Sequence, residues 1–119
     1  KLDGICKQRN KNYQFYRDNL KQLEWSPSPT KESWVSNFAY PIISSKRDKI
    51  ITHLKNNNIE TRPLICGSIG QQPFWKKEYG TCSYPFADKV NDQGLYLPNN
   101  HQMTENELIK MTKVMNEVL

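Results

Sequence analysis

Leu2, Ile5, Cys6, Tyr13, Tyr16, Leu20 and Leu23 fall mostly at three- and four-residue spacings, while Arg9, Lys11, Arg17, Asp18 and Lys21 fall elsewhere. That spacing places one apolar stripe on a helix, so residues 2–23 are expected to form a long amphipathic helix, polar for its length. The prolines of Trp25-Ser26-Pro27-Ser28-Pro29-Thr30 force extended geometry on the residues before them and mark a connector. From Trp34 to Ile43 the pattern changes to partial alternation of β-formers, Trp34, Val35, Phe38, Tyr40 and Ile42, with Pro41 at an edge or end. Ser45-Lys46-Arg47-Asp48 fits a capping box, Ile50, Ile51 and Leu54 form a stripe, and Asn56-Asn57-Asn58 stops it, which predicts a helix over 46–56.

The densest stretch follows, Ile59-Glu60-Thr61-Arg62-Pro63-Leu64-Ile65-Cys66-Gly67-Ser68-Ile69-Gly70-Gln71-Gln72-Pro73-Phe74-Trp75. Residues 59–66 have strand character, and Pro63 removes a ladder donor, which confines that point to an edge, a bulge or a strand end. Gly67 and Gly70 permit positive φ, Pro73 suits the first turn of a helix over 74–79, and Gly80 closes it. With the preceding strand and helix this makes a β-α-β unit, parallel or splayed onto a mixed sheet. Pro85 opens a further short helix that ends by Gly94, Leu95-Tyr96-Leu97 is a brief strand stopped by Pro98, and Asn99-Asn100-His101-Gln102 is a turn. Thr104-Glu105-Asn106-Glu107 is a second capping box, opening a final helix with Leu108, Met111, Met115, Val118 and Leu119 on one face. The sum is an α+β fold, a small mixed or antiparallel sheet of about three short strands covered by helices.

A strand, a glycine turn and a helix in that order direct backbone N–H groups beyond the strand end, and Arg62 adds a planar five-donor cation nearby. This makes Arg62, Gly67 and Ser68 candidate substrate-binding residues for an anionic group. The competing reading is structural: the glycines only make a tight connection, and Arg62 pairs with Glu60 or Glu78. A G-x-x-G pair standing alone is weak evidence for a ligand site.

Composition narrows the field. The 119 residues, 36% hydrophobic and 24% charged, suffice for a single domain spanning 1–119. No apolar run is long enough to span a bilayer and no signal-peptide core is present, which points to a soluble intracellular protein. Cys6, Cys66 and Cys82 form no C-x-x-C and lie at no metal-ligand spacing to His53 or His101, so free buried thiols are expected and no metal. The net charge of +5 is scattered, and a nucleic-acid partner is possible on charge but not indicated by it. Lys1 begins on what has the pattern of mid-helix sequence, so the chain is expected to be a piece of something longer.

Four pieces together resemble the C-terminal small domain of the DegT/DnrJ family of pyridoxal-phosphate-dependent sugar aminotransferases and dehydratases. They are Lys1-Leu2-Asp3-Gly4-Ile5 with Arg9, Asn12 and Tyr13; Ile59-Glu60-Thr61-Arg62-Pro63; Gly94-Leu95-Tyr96-Leu97-Pro98-Asn99; and Met103-Thr104-Glu105-Asn106-Glu107-Leu108. Leu64-Ile65-Cys66-Gly67-Ser68-Ile69-Gly70-Gln71-Gln72-Pro73 looks nearest to the branch that includes nucleotide-linked 4-keto-6-deoxyhexose 3-dehydratases. The resemblance implies the small domain of a fold-type-I enzyme, with residues 1–23 as the linking helix from a missing large domain. That large domain would carry pyridoxal phosphate or pyridoxamine phosphate and either a lysine, as in the aminotransferases, or a histidine, as in the dehydratases. It further implies a nucleotide-linked keto sugar as substrate, deoxysugar or lipopolysaccharide biosynthesis as setting, a cytoplasmic homodimer, and no catalytic residue or cofactor bound in this segment alone. His53 and His101 lie outside the matching motif. Two further expectations follow: the apolar face of 2–23, with Tyr13, Phe15 and Tyr16, seeks a partner or self-associates when the large domain is absent; and the alternative is a free-standing basic module whose Gly67–Gly70 loop clamps a nucleic-acid backbone as a KH domain does, against which stands the strand that precedes the loop.

Overall fold

The computed structural model describes residues 1–64 and 67–119. These form five helices and a three-stranded antiparallel sheet: α1 (Leu2–Asn19), β1 (Ala39–Ile43), α2 (Arg47–Asn56), β2 (Arg62–Pro63), α3 (Pro73–Tyr79), α4 (Pro85–Gln93), β3 (Gly94–Pro98) and α5 (Glu105–Val118). The sheet order is β1-β3-β2. Both outer strands run antiparallel to β3, so β1 and β2 are parallel to each other with β3 inserted between them. The expected β-α-β unit is therefore a split one, and the sheet is antiparallel rather than mixed.

Pairing of Tyr40 with Leu97 and of Ile42 with Leu95 puts those four fully buried side chains on one face. Against it pack Tyr13, Tyr16 and Leu20 from the N-terminal segment, Ile50 and Leu54 from α2, and Leu108, Met111, Val114 and Met115 from α5. Tyr40 lies between Tyr13 and Tyr16 with ring centroids at 5.3 and 5.1 Å, tilted 46° and 40°, a spacing favoured for aromatic pairs. The hydroxyls of the two outer rings stay paired on burial: Tyr13 donates to the Pro27 carbonyl (3.0 Å) and Tyr16 to that of Pro98 (2.6 Å). Tyr13 and Tyr16 are thus consumed inside the domain, while on the same helix Phe15 is half-buried and Leu2 exposed.

Element ends depart from the periodic pattern where tertiary contacts intervene. α1 stops at Asn19 rather than running to Leu23, because Asn116 of α5 donates to the Asn19 carbonyl and accepts from the Lys21 N–H, and Gln22 turns the chain at φ 55°. β1 begins at Ala39, since Val35 and Asn37 give their carbonyls to the side chains of Asn10 and Asn99 instead of to a ladder. At the start of α2 no side-chain cap forms and the expected capping box is absent; Ser45 turns away, its N–H (2.7 Å) and hydroxyl (2.5 Å) both donating to Glu24. The box at Thr104 and Glu107 forms in full. The strand expected over 59–66 is reduced to Arg62–Pro63 on the sheet edge, while Ile65 and Cys66 lie outside the described residues. Cys6 and Cys82 are free and half-buried. No helix among the described residues is long and apolar enough to cross a membrane.

Candidate functional site

Pro63 has no N–H to offer a neighbour, which suits β2 to the open edge of the sheet, and Arg62 pairs there with Tyr96 of β3. Tyr96 alternates with the buried Leu95 and Leu97, so its ring stands on the sheet's outer face, where Phe38 packs on it at 5.4 Å between centroids. Between them and the segment Glu60-Thr61-Arg62 lies an open cleft of about 220 Å³, completed by Ala39, Leu97 and Pro98. It combines an aromatic platform with a cation, a carboxylate and a hydroxyl.

Arg62 pairs with Glu60, its Nε and Nη2 each donating to the same carboxylate oxygen at 3.3 Å. The side chains are 78% and 77% exposed. A long, single-oxygen, solvated pair is worth between nothing and about 1 kcal/mol, so turning the guanidinium toward an incoming anion costs little. The fork geometry is therefore available for a bidentate carboxylate or phosphate contact.

Gly67 and Ser68 face elsewhere. Gly67 has φ +54°, and a Cβ there would meet the Asn91 Oδ1 of α4 at 2.5 Å. Ser68 is fully buried and its Oγ makes no aligned hydrogen bond. It leans on Asp88 of α4, whose carboxyl is held below the usual carboxylate range by that hydroxyl, by the Gln71 amide at 3.0 Å and by the Tyr84 N–H at 3.0 Å. Neither residue lines the Arg62 cleft, so the three expected together are divided between the sheet edge and the underside of the glycine turn. Gly70 does not use positive φ; a Cβ there would come within 2.6 Å of the Cys82 carbonyl and 2.9 Å of the Tyr84 ring, so the glycine gives room for a single 3-10 turn, Ile69–Gln71, rather than a bend. That turn leads into α3 alone, whereas a KH-type loop joins two helices.

Phe38, Tyr96 and Glu60 were not singled out by the sequence as cleft residues; the strand alternation at 95–97 was the available signal for Tyr96. His53 bridges α2 to Glu117 of α5 at 3.2 Å, and His101 sits in the turn after β3. Among the described residues no group of three or more His, Cys, Asp or Glu is placed to hold a metal.

The model of the DegT/DnrJ/EryC1/StrS aminotransferase family matches residues 1–118. The chain belongs to that family. Its fold is shared with the sugar aminotransferase CalS13 from Micromonospora echinospora (15% identity, TM-score 0.82), a DegT DnrJ EryC1 StrS aminotransferase from Brucella abortus (19%, 0.85) and the E. coli GDP-4-keto-6-deoxy-D-mannose-3-dehydratase with bound hydrated PLP (20%, 0.78). These superpositions cover 100%, 98% and 97% of this chain but 32%, 31% and 32% of the other chains. The chain thus spans about a third of the length of its structural relatives. No curated protein sequence matches it.

Pyridoxal phosphate, the cofactor of the family, needs an amine desolvated or otherwise activated to become its nucleophilic anchor. Every lysine of this chain is exposed. None of these lysines has the desolvated setting that such an anchor uses.

Proposed function

We propose that residues 1–119 are the C-terminal small domain of a pyridoxal-phosphate- or pyridoxamine-phosphate-dependent enzyme that aminates or 3-dehydrates a nucleotide-linked 4-keto sugar. The segment has no activity alone. The observation that carries this reading is the end-to-end fit of the whole chain onto about a third of each relative, with every lysine left at the surface. A large domain supplies the cofactor and the lysine or histidine that works on it. The enzyme operates as a cytoplasmic homodimer in deoxysugar assembly for surface polysaccharide. Arg62 faces the anionic part of the substrate from the sheet edge, and Gly67 and Ser68 set the turn that carries the chain from that edge to α3.

The test uses the longer polypeptide that carries this sequence beside the 119-residue chain, each supplied with cofactor, glutamate and a panel of nucleotide-linked 4-keto-6-deoxyhexoses. The longer polypeptide is expected to consume at least one sugar and the short chain none. Consumption by neither, with the longer polypeptide folded and its cofactor site empty, contradicts the reading.

A further inference from the structure

Between Ile69 and Gln93 only Gly70 is buried, although the segment contains two helices. Neither α3 nor α4 has a buried residue, yet this stretch carries Phe74 (64% exposed), Tyr79 (65%), Tyr84 (40%) and Phe86 (88%), with Trp75 stacked on Tyr79 at 4.5 Å. Beside the half-buried Trp75, Ala87 and Val90, polar bonds take a large part in holding the segment in place. Asp88 takes hydrogen bonds from Gln71, Ser83 and the Tyr84 N–H, while Asn91 donates to Gln71. Such bonds fix a shape without burying apolar area. Aromatic residues are enriched in interface cores, and several of them exposed on one short, fixed segment suit that role.

We infer that the aromatic surface of α3, α4 and their connection is where the remaining two-thirds of the enzyme docks on this domain. The inference rests on the proposed function, and it places the interface on the segment 73–93 rather than on α1, whose Tyr13 and Tyr16 are fully buried. The length of the relatives selects this occupant: each is about three times as long as this chain, so the missing mass is covalently attached and supplies a partner at high effective concentration. A second copy of the chain would have to find the same surface from solution.

Amide hydrogen exchange on the 119-residue chain and on the longer polypeptide provides the test. Residues 73–93 are expected to exchange at least tenfold more slowly in the longer polypeptide, while α5 exchanges alike in both. Phe74→Ser with Phe86→Ser, both at exposed positions that the fold of this chain does not use, is expected to restore fast exchange over 73–93 in the longer polypeptide and to leave α5 unchanged. Equal exchange of 73–93 in the two proteins overturns the docking surface while leaving the proposed function standing. Dimerisation of the 119-residue chain that the same double variant abolishes overturns it in favour of a second copy. If the polypeptide made in its source cells has a mass of 14.0 kDa and no more, the proposed function falls, and the docking surface with it.

Discussion

At the scale of single residues, Arg62 stands nearly apart from the fold. Its only ion-pair partner among the described residues is the equally exposed Glu60, so the fold gains little from it. In the longer enzyme, Arg62→Lys is expected to raise the apparent substrate constant at a cost of about 1.5–3 kcal/mol, because a lysine keeps the charge and loses the fork. Unfolding of the 119-residue variant should stay within about 0.5 kcal/mol of the parent chain. If Arg62→Ala instead melts the domain while the surviving enzyme keeps normal steady-state kinetics, the residue is structural. Two glycines give a contrast that needs no enzyme. A Cβ at Gly94 would lie 2.3 Å from Leu64 Cδ1 and 2.4 Å from the Val90 carbonyl, whereas one at Gly4 meets nothing within 4 Å. Gly94→Ala should cost about 1–3 kcal/mol by overpacking, and Gly4→Ala, inside α1, should gain up to about 1 kcal/mol, both read from urea midpoints. The spatial need at Gly94 was invisible in the sequence, where it appeared as a helix stop; the neighbour it makes room for, Leu64, arrives at the end of β2, the strand paired beside it.

Elements were legible wherever their signals were local. Thr104-Glu105-Asn106-Glu107 opens α5 as read, because capping needs only residues three apart: the Glu107 N–H donates to Thr104 Oγ1 and the Glu107 carboxylate accepts from the Thr104 N–H. Pro73 and Pro85 start α3 and α4, and Gly80 ends α3 at φ +76°. The misreadings share a different cause. Leu20 and Leu23 continue the helical spacing of α1, yet the helix is stopped by an asparagine nearly a hundred positions away. Ser45 matched a capping pattern, but Glu24 from another part of the chain competes for its hydrogen bonds. Thr104→Ala should therefore cost about 1 kcal/mol and loosen the first turn of α5. Amide exchange at residues 105–108 checks this, and unchanged protection there would mean that packing of Leu108 alone holds the turn.

For the molecule as a whole, the fold class follows from patterns of apolar residues, while the split β-α-β order and the site do not. The cleft exists only because β3 inserts between β1 and β2, which brings Tyr96 beside Arg62 across a sequence gap that no periodicity bridges. One global property follows from the core. Burial raises the phenol pKa of Tyr13, Tyr16 and Tyr40, in Tyr13 with help from the neighbouring Tyr40 and in Tyr40 against the Ser26 hydroxyl. Each group binds its proton more tightly folded than unfolded, so their contribution to stability is fully present below the ordinary value of 10.0 and is lost as pH climbs above it. The chain should unfold cooperatively in alkali, with these three phenols ionising only as the helical signal disappears. Phenolate absorbance from all six tyrosines with an intact far-ultraviolet spectrum would contradict the packing described.

The central claim is that the group acting on the cofactor lies outside residues 1–119, and reductive trapping tests it most directly. The 119-residue chain is incubated with pyridoxal phosphate at low excess, reduced with borohydride and mapped by peptide mass. Only sparse labelling spread over exposed lysines is expected, with no band near the cofactor's visible absorption before reduction; a stoichiometric adduct at one specific lysine would contradict the claim.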